Sequence, residues 1–395
     1  MNTVYFDNAA TSWPKPEETY AAMDRFSRSI GGSPGRSGHR LSIESGRVIM
    51  NTRESLARLF HIDDPFQLVF TKNATEALNL AIFGLYLPGD HVITSSMEHN
   101  SVMRPLRELE SKGMEVSVIR CSPQGEMDLQ ALMSAIRKPS KAICLTHASN
   151  VTGTIMPIQE VGNIAREHGL ILCVDAAQTA GVLPIDVSEM NVDLLAFSGH
   201  KSLFGPQGTG GLYIRKGLEK QIGPLMVGGT GSRSEYELQP DFMPDRYESG
   251  TLNTAGLAGL GAGAEYILRK GIDHIRAKEI LLTQCFLDGL KSISGVRTYG
   301  PGEAARQISV VSFNIDGMTS SEVSFALDEQ FGIMSRPGLH CAPSAHRTIG
   351  TFPEGTVRFS FGYFNTEEEI SLALDALREI SRQGQKNSNP KQDKR

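Results

Sequence analysis

Between residues 67 and 215 the chain alternates short apolar runs with stretches of helical periodicity, and this alternation restricts the fold more than any other feature of the sequence. The runs lie at 67–70, 91–95, 115–120, 141–147, 170–175, 193–197 and 211–214. Each is too short for a stable helix, and such runs bounded by turn residues read as buried strands. The segments between them carry helix signals. Pro157 stands at a first helical position, Ile158, Val161, Ile164 and Ala165 form one apolar face, and Gly169 closes the segment. Asn73 followed by Glu76 resembles a capping box, and Leu78, Ala81, Ile82 and Leu85 then recur at helical spacing. Strands joined by helical crossovers make a mostly parallel sheet covered by helices, so the expected fold is α/β with a seven-stranded sheet.

Past Gly256 the pattern changes. Two helical stretches, 255–269 and 274–293, precede strand-like 308–315 and 357–361, and Thr366 with Glu369 opens a last helix to about Arg382. The chain therefore divides into an N-terminal segment (1–14), a large domain (15–255), a smaller α+β domain (256–383) and a disordered, solvated tail (384–395) without a large apolar residue. The glycine-rich stretch 228–232 follows no clear strand and opens no helix, so it reads as a loop and not as a nucleotide cradle.

Composition excludes several functions. With 39 Lys and Arg against 44 Asp and Glu the net charge is −5, without the basic excess that nucleic acid or a membrane surface attracts. No apolar stretch approaches the roughly 18 residues of a membrane span. The opening Met-Asn-Thr-Val-Tyr-Phe-Asp lacks the regions of a signal peptide, and a cytoplasmic location is expected. Five cysteines, Cys121, Cys144, Cys173, Cys285 and Cys341, form no C-x-x-C pair and read as free thiols.

The chemistry concentrates at predicted strand ends. Asp175 closes one strand and Lys201 follows the next. In doubly wound sheets ligands gather at the carboxyl ends of strands, so the two can share a pocket. Pyridoxal phosphate chemistry needs this pair: a lysine to bond the cofactor, and a carboxylate to keep the pyridine nitrogen protonated so that the ring withdraws electrons. Two residues alone describe a solvated lysine and an ordinary strand-end acid equally well. Other positions agree, however. Asn73, Ala74, Thr75 and Glu76 place amides and a hydroxyl at a helix N-terminus, where phosphate binds readily. Ser198 and His200 flank the lysine, and His99 follows another strand, where its ring can lie against a planar cofactor. Cys341 sits in a Gly/Pro-punctuated loop beside Arg336 and His340, whereas Cys121, Cys144 and Cys173 fall on predicted strands and Cys285 in a helix. His340, Cys341 and His346 lack a fourth ligand at suitable spacing, so no metal site is expected.

Five segments occur in order: Phe6-Asp7-Asn8-Ala9-Ala10-Thr11, Asp175-x-x-Gln178, Ser198-Gly199-His200-Lys201, Glu248-Ser249-Gly250-Thr251-x-Asn253 and Arg336-x-Gly338-x-His340-Cys341. From about residue 4 to 382 the chain resembles the class V aminotransferases, and within them the cysteine desulfurases and selenocysteine lyases. The resemblance implies fold type I of the pyridoxal-phosphate-dependent transferases, a homodimer, and pyridoxal 5'-phosphate as cofactor. It implies that Lys201 bonds the cofactor, Asp175 partners the pyridinium and His99 stacks on the ring. Gln178 and Asn150 then lie near the phenolic oxygen and the substrate. Ala74, Thr75, Ser198 and His200 hold the phosphate, with Thr251 contributed by the neighbouring subunit. Arg358 matches the clamp for the substrate carboxylate, which a planar guanidinium can hold bidentately, with Asn8, Ala9 and Arg336 beside it. Cys341 matches the persulfide-forming cysteine. Pro337 and Leu339 stand where the family often has a threonine or alanine and a second histidine. The implied reaction converts L-cysteine to L-alanine and hands sulfur to an acceptor protein. Its alternatives are selenocysteine lysis, with L-selenocysteine as substrate, and a non-catalytic chalcogen carrier of the same fold.

Overall fold

The computed structural model describes residues 3–35, 38–233 and 235–388. The strands of the first 215 residues are β1 (Val4–Tyr5), β2 (Leu68–Thr71), β3 (His91–Ser95), β4 (Glu115–Ile119), β5 (Ser140–Thr146), β6 (Ile171–Asp175), β7 (Leu194–Ser198) and β8 (Gly210–Ile214). Each of the seven apolar runs is a strand, with its ends within one residue of the expected positions. They form a single sheet in the order β2-β8-β7-β6-β5-β3-β4. The five strands from β4 to β7 are parallel, while β8 runs antiparallel to both its neighbours. Every residue of β3, β6, β7 and β8 is buried, so both faces of these strands are covered, and β6 and β7 are accordingly apolar up to their last residue.

Local chemistry sets the helix entries. Asn73 Oδ1 accepts the Glu76 N–H at 2.9 Å and caps the helix Ala74–Leu85. Glu76 reaches back to the Lys72 N–H at 2.6 Å, one residue beyond the reciprocal bond of the expected capping box. At Thr366 and Glu369 both reciprocal bonds are present, at 3.0 and 3.3 Å. The helix that follows runs Glu367–Ser388, so residues 384–388 continue it instead of starting the expected tail. Residues 389–395 of that tail lie outside the described residues.

A second sheet is fully antiparallel. It contains β9 (Val296–Tyr299), β10 (Val310–Ile315), β12 (Arg336–Gly338) and β13 (Thr356–Ser360) in the order β12-β13-β10-β9, while β11 (Ile333–Met334) pairs in parallel with β1. Its core gathers Phe286, Phe313, Phe359 and Phe361 around Phe6, so the N-terminal segment is built into the C-terminal unit. The helix Thr254–Lys270, expected to open that unit, instead adds Leu257, Leu260, Ala264 and Ile267 to the core of the large sheet. Glycine permits this approach. A Cβ at Gly261 would stand 2.5 Å from Thr52 Oγ1, and one at Gly263 would stand 2.3 Å from the Leu203 carbonyl oxygen. Among the described residues no helix is long and apolar enough to cross a membrane.

Candidate active site

A cleft of about 280 Å³ opens at the carboxyl ends of β3, β5, β6 and β7. It is lined by Ala9, Ala74, Thr75, His99, Asn150, Asp175, Gln178, Ser198, His200, Lys201, Arg336, Cys341 and Arg358, all singled out from the sequence. The parallel sheet explains the convergence: Asp175 and Ser198 are the last residues of β6 and β7, and Lys201 follows in the turn. Ser198 Oγ accepts the Ala74 N–H at 3.1 Å, which ties the start of the helix Ala74–Leu85 to the strand that carries the lysine. Thr75 Oγ1 lies 2.8 Å from Ser101 Oγ, which links this helix to the next, Asn100–Glu110.

His99 is that second helix's cap. Its Nδ1 accepts the Ser101 N–H at 3.0 Å, so in the neutral ring the proton resides on Nε2. Burial, with Lys201 and Arg336 adding to it, pushes His99 down to about 4 and keeps it neutral at pH 7. Burial likewise takes His200 to about 4 and Lys201 to about 8, the latter despite the opposing pull of Asp175. Asp175 is itself raised by burial, and the Ala177 N–H at 2.9 Å and the Lys201 charge counteract that rise.

Arg358 forms the far wall. It is buried in β13, opposite Arg336 of β12, and its guanidinium donates to Asp7 Oδ1 at 2.8 Å and to the Asn150 carbonyl at 3.1 Å. Asp7 was not singled out from the sequence, and its side chain belongs to the motif Phe6-Asp7-Asn8. Asn8, expected beside the substrate, is instead committed to structure. Its amide donates to the Ser360 carbonyl at 3.0 Å and to Asn365 Oδ1 at 3.2 Å, and its Oδ1 accepts the Trp13 N–H at 3.2 Å. Thr251 does not line this cleft. It borders other cavities with Glu248 and Leu252. Ser101, which joins Thr75 to His99, carried no sequence signal, because its role exists only once two helix starts meet.

Cys341 is the exposed cysteine of the five; Cys121, Cys144 and Cys173 are buried. Cys121 lies just past β4 and not on it, and burial pushes its thiol up to about 11. The Gln178 amide donates to the Ala9 carbonyl at 3.1 Å, and the Asn150 amide to the His340 carbonyl at 2.7 Å, so both join the cleft to neighbouring loops.

The donor set fits pyridoxal phosphate. An amine of lowered basicity stands near a buried carboxylate, and the start of a capped helix supplies amides and hydroxyls for a phosphate. A neutral imidazole faces the same space, and His200 Nδ1 is buried without a partner. Fold and donor set together define a pyridoxal-phosphate-dependent enzyme of fold type I.

The family model for aminotransferase class V matches residues 4–372, and the chain belongs to this family. It is 36% identical over 387 residues to a probable cysteine desulfurase of Methanothermobacter thermautotrophicus, covering 96% of this chain and 95% of the relative. A cysteine desulfurase of Haloferax volcanii is 33% identical over 382 residues, covering 95% and 88% of the two chains. The apo structure of a cysteine desulfurase from Thermococcus onnurineus NA1 superposes with a TM-score of 0.90 at 36% identity, over 96% of this chain and 95% of that one. The cysteine desulfurase CsdA of Escherichia coli gives 0.84 at 27% identity, again over 96% and 95%.

Proposed function

We infer that the chain is a pyridoxal-phosphate-dependent cysteine desulfurase that converts L-cysteine to L-alanine and receives the sulfur on Cys341. The observation that carries the reading is that the one exposed cysteine opens into the cleft that also holds Lys201, Asp175 and Arg358. When bound, pyridoxal phosphate supplies a protonated ring that accepts the electron pair released at the substrate Cα. Asp175 would keep that ring nitrogen protonated, and His99 would stack on the ring. Ala74, Thr75, Ser198 and His200 would hold the phosphate, together with Thr251 of the partner subunit. Arg358 and Arg336 orient the substrate carboxylate, with Asn150, Gln178 and Ala9 alongside. Lys201, with its amine held near neutrality, moves the proton between the substrate carbons.

Cys341 then attacks the substrate sulfur. The S–S bond forms as the C–S bond breaks, the electron pair of that bond stays with the substrate carbon, and that carbon takes up a proton to become the methyl group of alanine. The persulfide passes to an acceptor protein. We read the enzyme as a homodimer with composite sites and, from its free thiols, as cytoplasmic.

The test is product analysis with L-cysteine. Cys341→Ser is expected to retain its cofactor and lose alanine formation. Pyruvate as product, or undiminished alanine from Cys341→Ser, would overturn the reading. If Cys341→Ser kept its turnover of L-selenocysteine, the activity would be that of a selenocysteine lyase.

A further inference from the structure

Beside the Cys341 loop, a second histidine is buried in the short helix Pro343–Ile349. His346 Nδ1 lies 2.7 Å from Thr351 Oγ1, and its Nε2 lies 3.3 Å from His340 Nδ1. His340 Nε2 in turn lies 2.9 Å from the Arg336 carbonyl oxygen.

The carbonyl end fixes the direction of the whole chain. A carbonyl only accepts, so His340 Nε2 carries a proton and, in the neutral ring, His340 Nδ1 is an acceptor. His346 Nε2 must then donate to it, and His346 Nδ1 accepts from the Thr351 hydroxyl. Both rings are neutral at pH 7. Burial holds His340 well below its usual range and His346 down to about 4, with the Arg358 charge acting the same way on each. Every ring nitrogen is thereby used once. Among the described residues no cluster of three or more His, Cys, Asp or Glu side chains forms a metal-holding group.

This chain of bonds brackets an unusual stretch of backbone. His340 and Cys341 have φ of 49° and 59°, and Gly338 has 100°. Non-glycine residues adopt this region rarely, and consecutive ones persist only where their surroundings enforce it. Two bonds from the large unit act on the main chain: the Asn150 amide holds the His340 carbonyl at 2.7 Å, and the Asn100 N–H holds the Cys341 carbonyl at 2.8 Å. The imidazole chain acts from the other side, joining β12 before the loop to the helix after it.

We propose that His346 is a positioning residue: by donating from Nε2 to His340 it fixes the His340 ring and the left-handed turn that presents the Cys341 thiol to the cleft. The proposal rests on Cys341 being the sulfur acceptor. It is tested with His346→Leu and His346→Gln in the cofactor-loaded enzyme, since a glutamine amide offers both a donor group and an acceptor where leucine offers neither. His346→Leu is expected to retain the cofactor absorbance but to form alanine about tenfold more slowly, with the loss in kcat and not in KM. Persulfide on Cys341, read by mass spectrometry after one turnover, should fall in step. His346→Gln is expected to recover to within about threefold of the native rate.

A native rate in His346→Leu would overturn the proposal, as would His346→Gln being equally slow with its cofactor in place. Should His346→Leu fail to fold, Thr351→Val removes only the far donor. A kcat loss of about threefold there supports the proposal, and a native rate overturns it. Cys341→Ser separates the two layers of the argument. If that variant still forms alanine, the reading of Cys341 fails and this proposal with it. If it is inactive while His346→Leu is native, only the proposal fails.

Discussion

Burial brings two groups near the cleft to similar pKa values from opposite sides, since Lys201 falls to about 8 and Glu98 rises to about 8. For Lys201 the neutral amine is the reactive form. Capture of added pyridoxal phosphate by the cofactor-free protein is therefore expected to rise with pH, half-maximal near 8 and not near the ordinary 10.5. Stopped-flow absorbance across pH 6.5–10 would check this. Glu98 has no exposure and accepts from Ser95 Oγ at 2.5 Å and the Thr146 N–H at 2.9 Å. Its folded pKa lies above the ordinary 4.5, so its contribution to stability is complete below 4.5 and lost as pH rises toward 8. Glu98→Gln should flatten the decline of Tm over that window, as differential scanning fluorimetry would show, and an unchanged pH profile would exclude the assignment. Legibility at this scale follows covalent neighbours. Lys201 and Asp175 stand at strand ends and can be found by counting, whereas Ser101 meets Thr75, and Glu98 meets Thr146, only once the chain has folded.

Among the elements, the strands of the large sheet were the easiest to read, because a strand buried on both faces is a continuous apolar run. The helix Arg40–Leu59 is hard to read from the sequence for the converse reason. Its buried side carries Ser42, Ser45, Thr52, Arg53 and Ser55 among its leucines, so the apolar stripe that marks a helix is broken. The helix Ser320–Phe331 carries a legible signal, the capping box of Thr319 and Glu322. Arg53 shows what the polar stripe is for. It pairs with Glu248 at 2.9 Å, both side chains at most 7% exposed, and it also bonds the Leu68 carbonyl of β2. Glu248 in turn accepts the Phe70 N–H at 2.7 Å, so the segment leading to Thr251 is pinned to the sheet edge. Arg53→Leu removes the cation that balances the buried Glu248 carboxylate and leaves it only the Phe70 N–H, which should cost about 3–5 kcal/mol. Urea denaturation would measure it, and a loss below about 1 kcal/mol would mean that the pair is not enforcing the contact.

At the scale of the molecule, the cleft draws on both cores and, on the homodimer reading, on a second chain. Thr251 stands outside its own cleft beside Glu248, so a composite site is expected to be complemented across subunits. Lys201→Ala and Thr251→Ala, each impaired alone, should regain activity when co-expressed and isolated as a mixed dimer, up to one intact site per dimer. Activity no higher than that of either parent would reject the composite site. The boundary between the two units was only half legible, because the helix Thr254–Lys270 is defined by its glycines as much as by its apolar residues, and glycine spacing reveals close packing only when the opposing surface is known.

The bond between Asp7 and Arg358 spans 351 positions of the chain, and Ala9 reaches the Ser360 hydroxyl across as many. Contacts of such separation form late, because the intervening chain must first be made and ordered. On the ribosome the large sheet can assemble from local crossovers while the wall of the cleft is still unsynthesised. The N-terminal segment must wait, solvated, for β13 to emerge. A nascent chain halted before Arg358 should therefore expose Lys201 without the guanidinium that faces it, leaving the amine open to any aldehyde in the cell until β13 has been made.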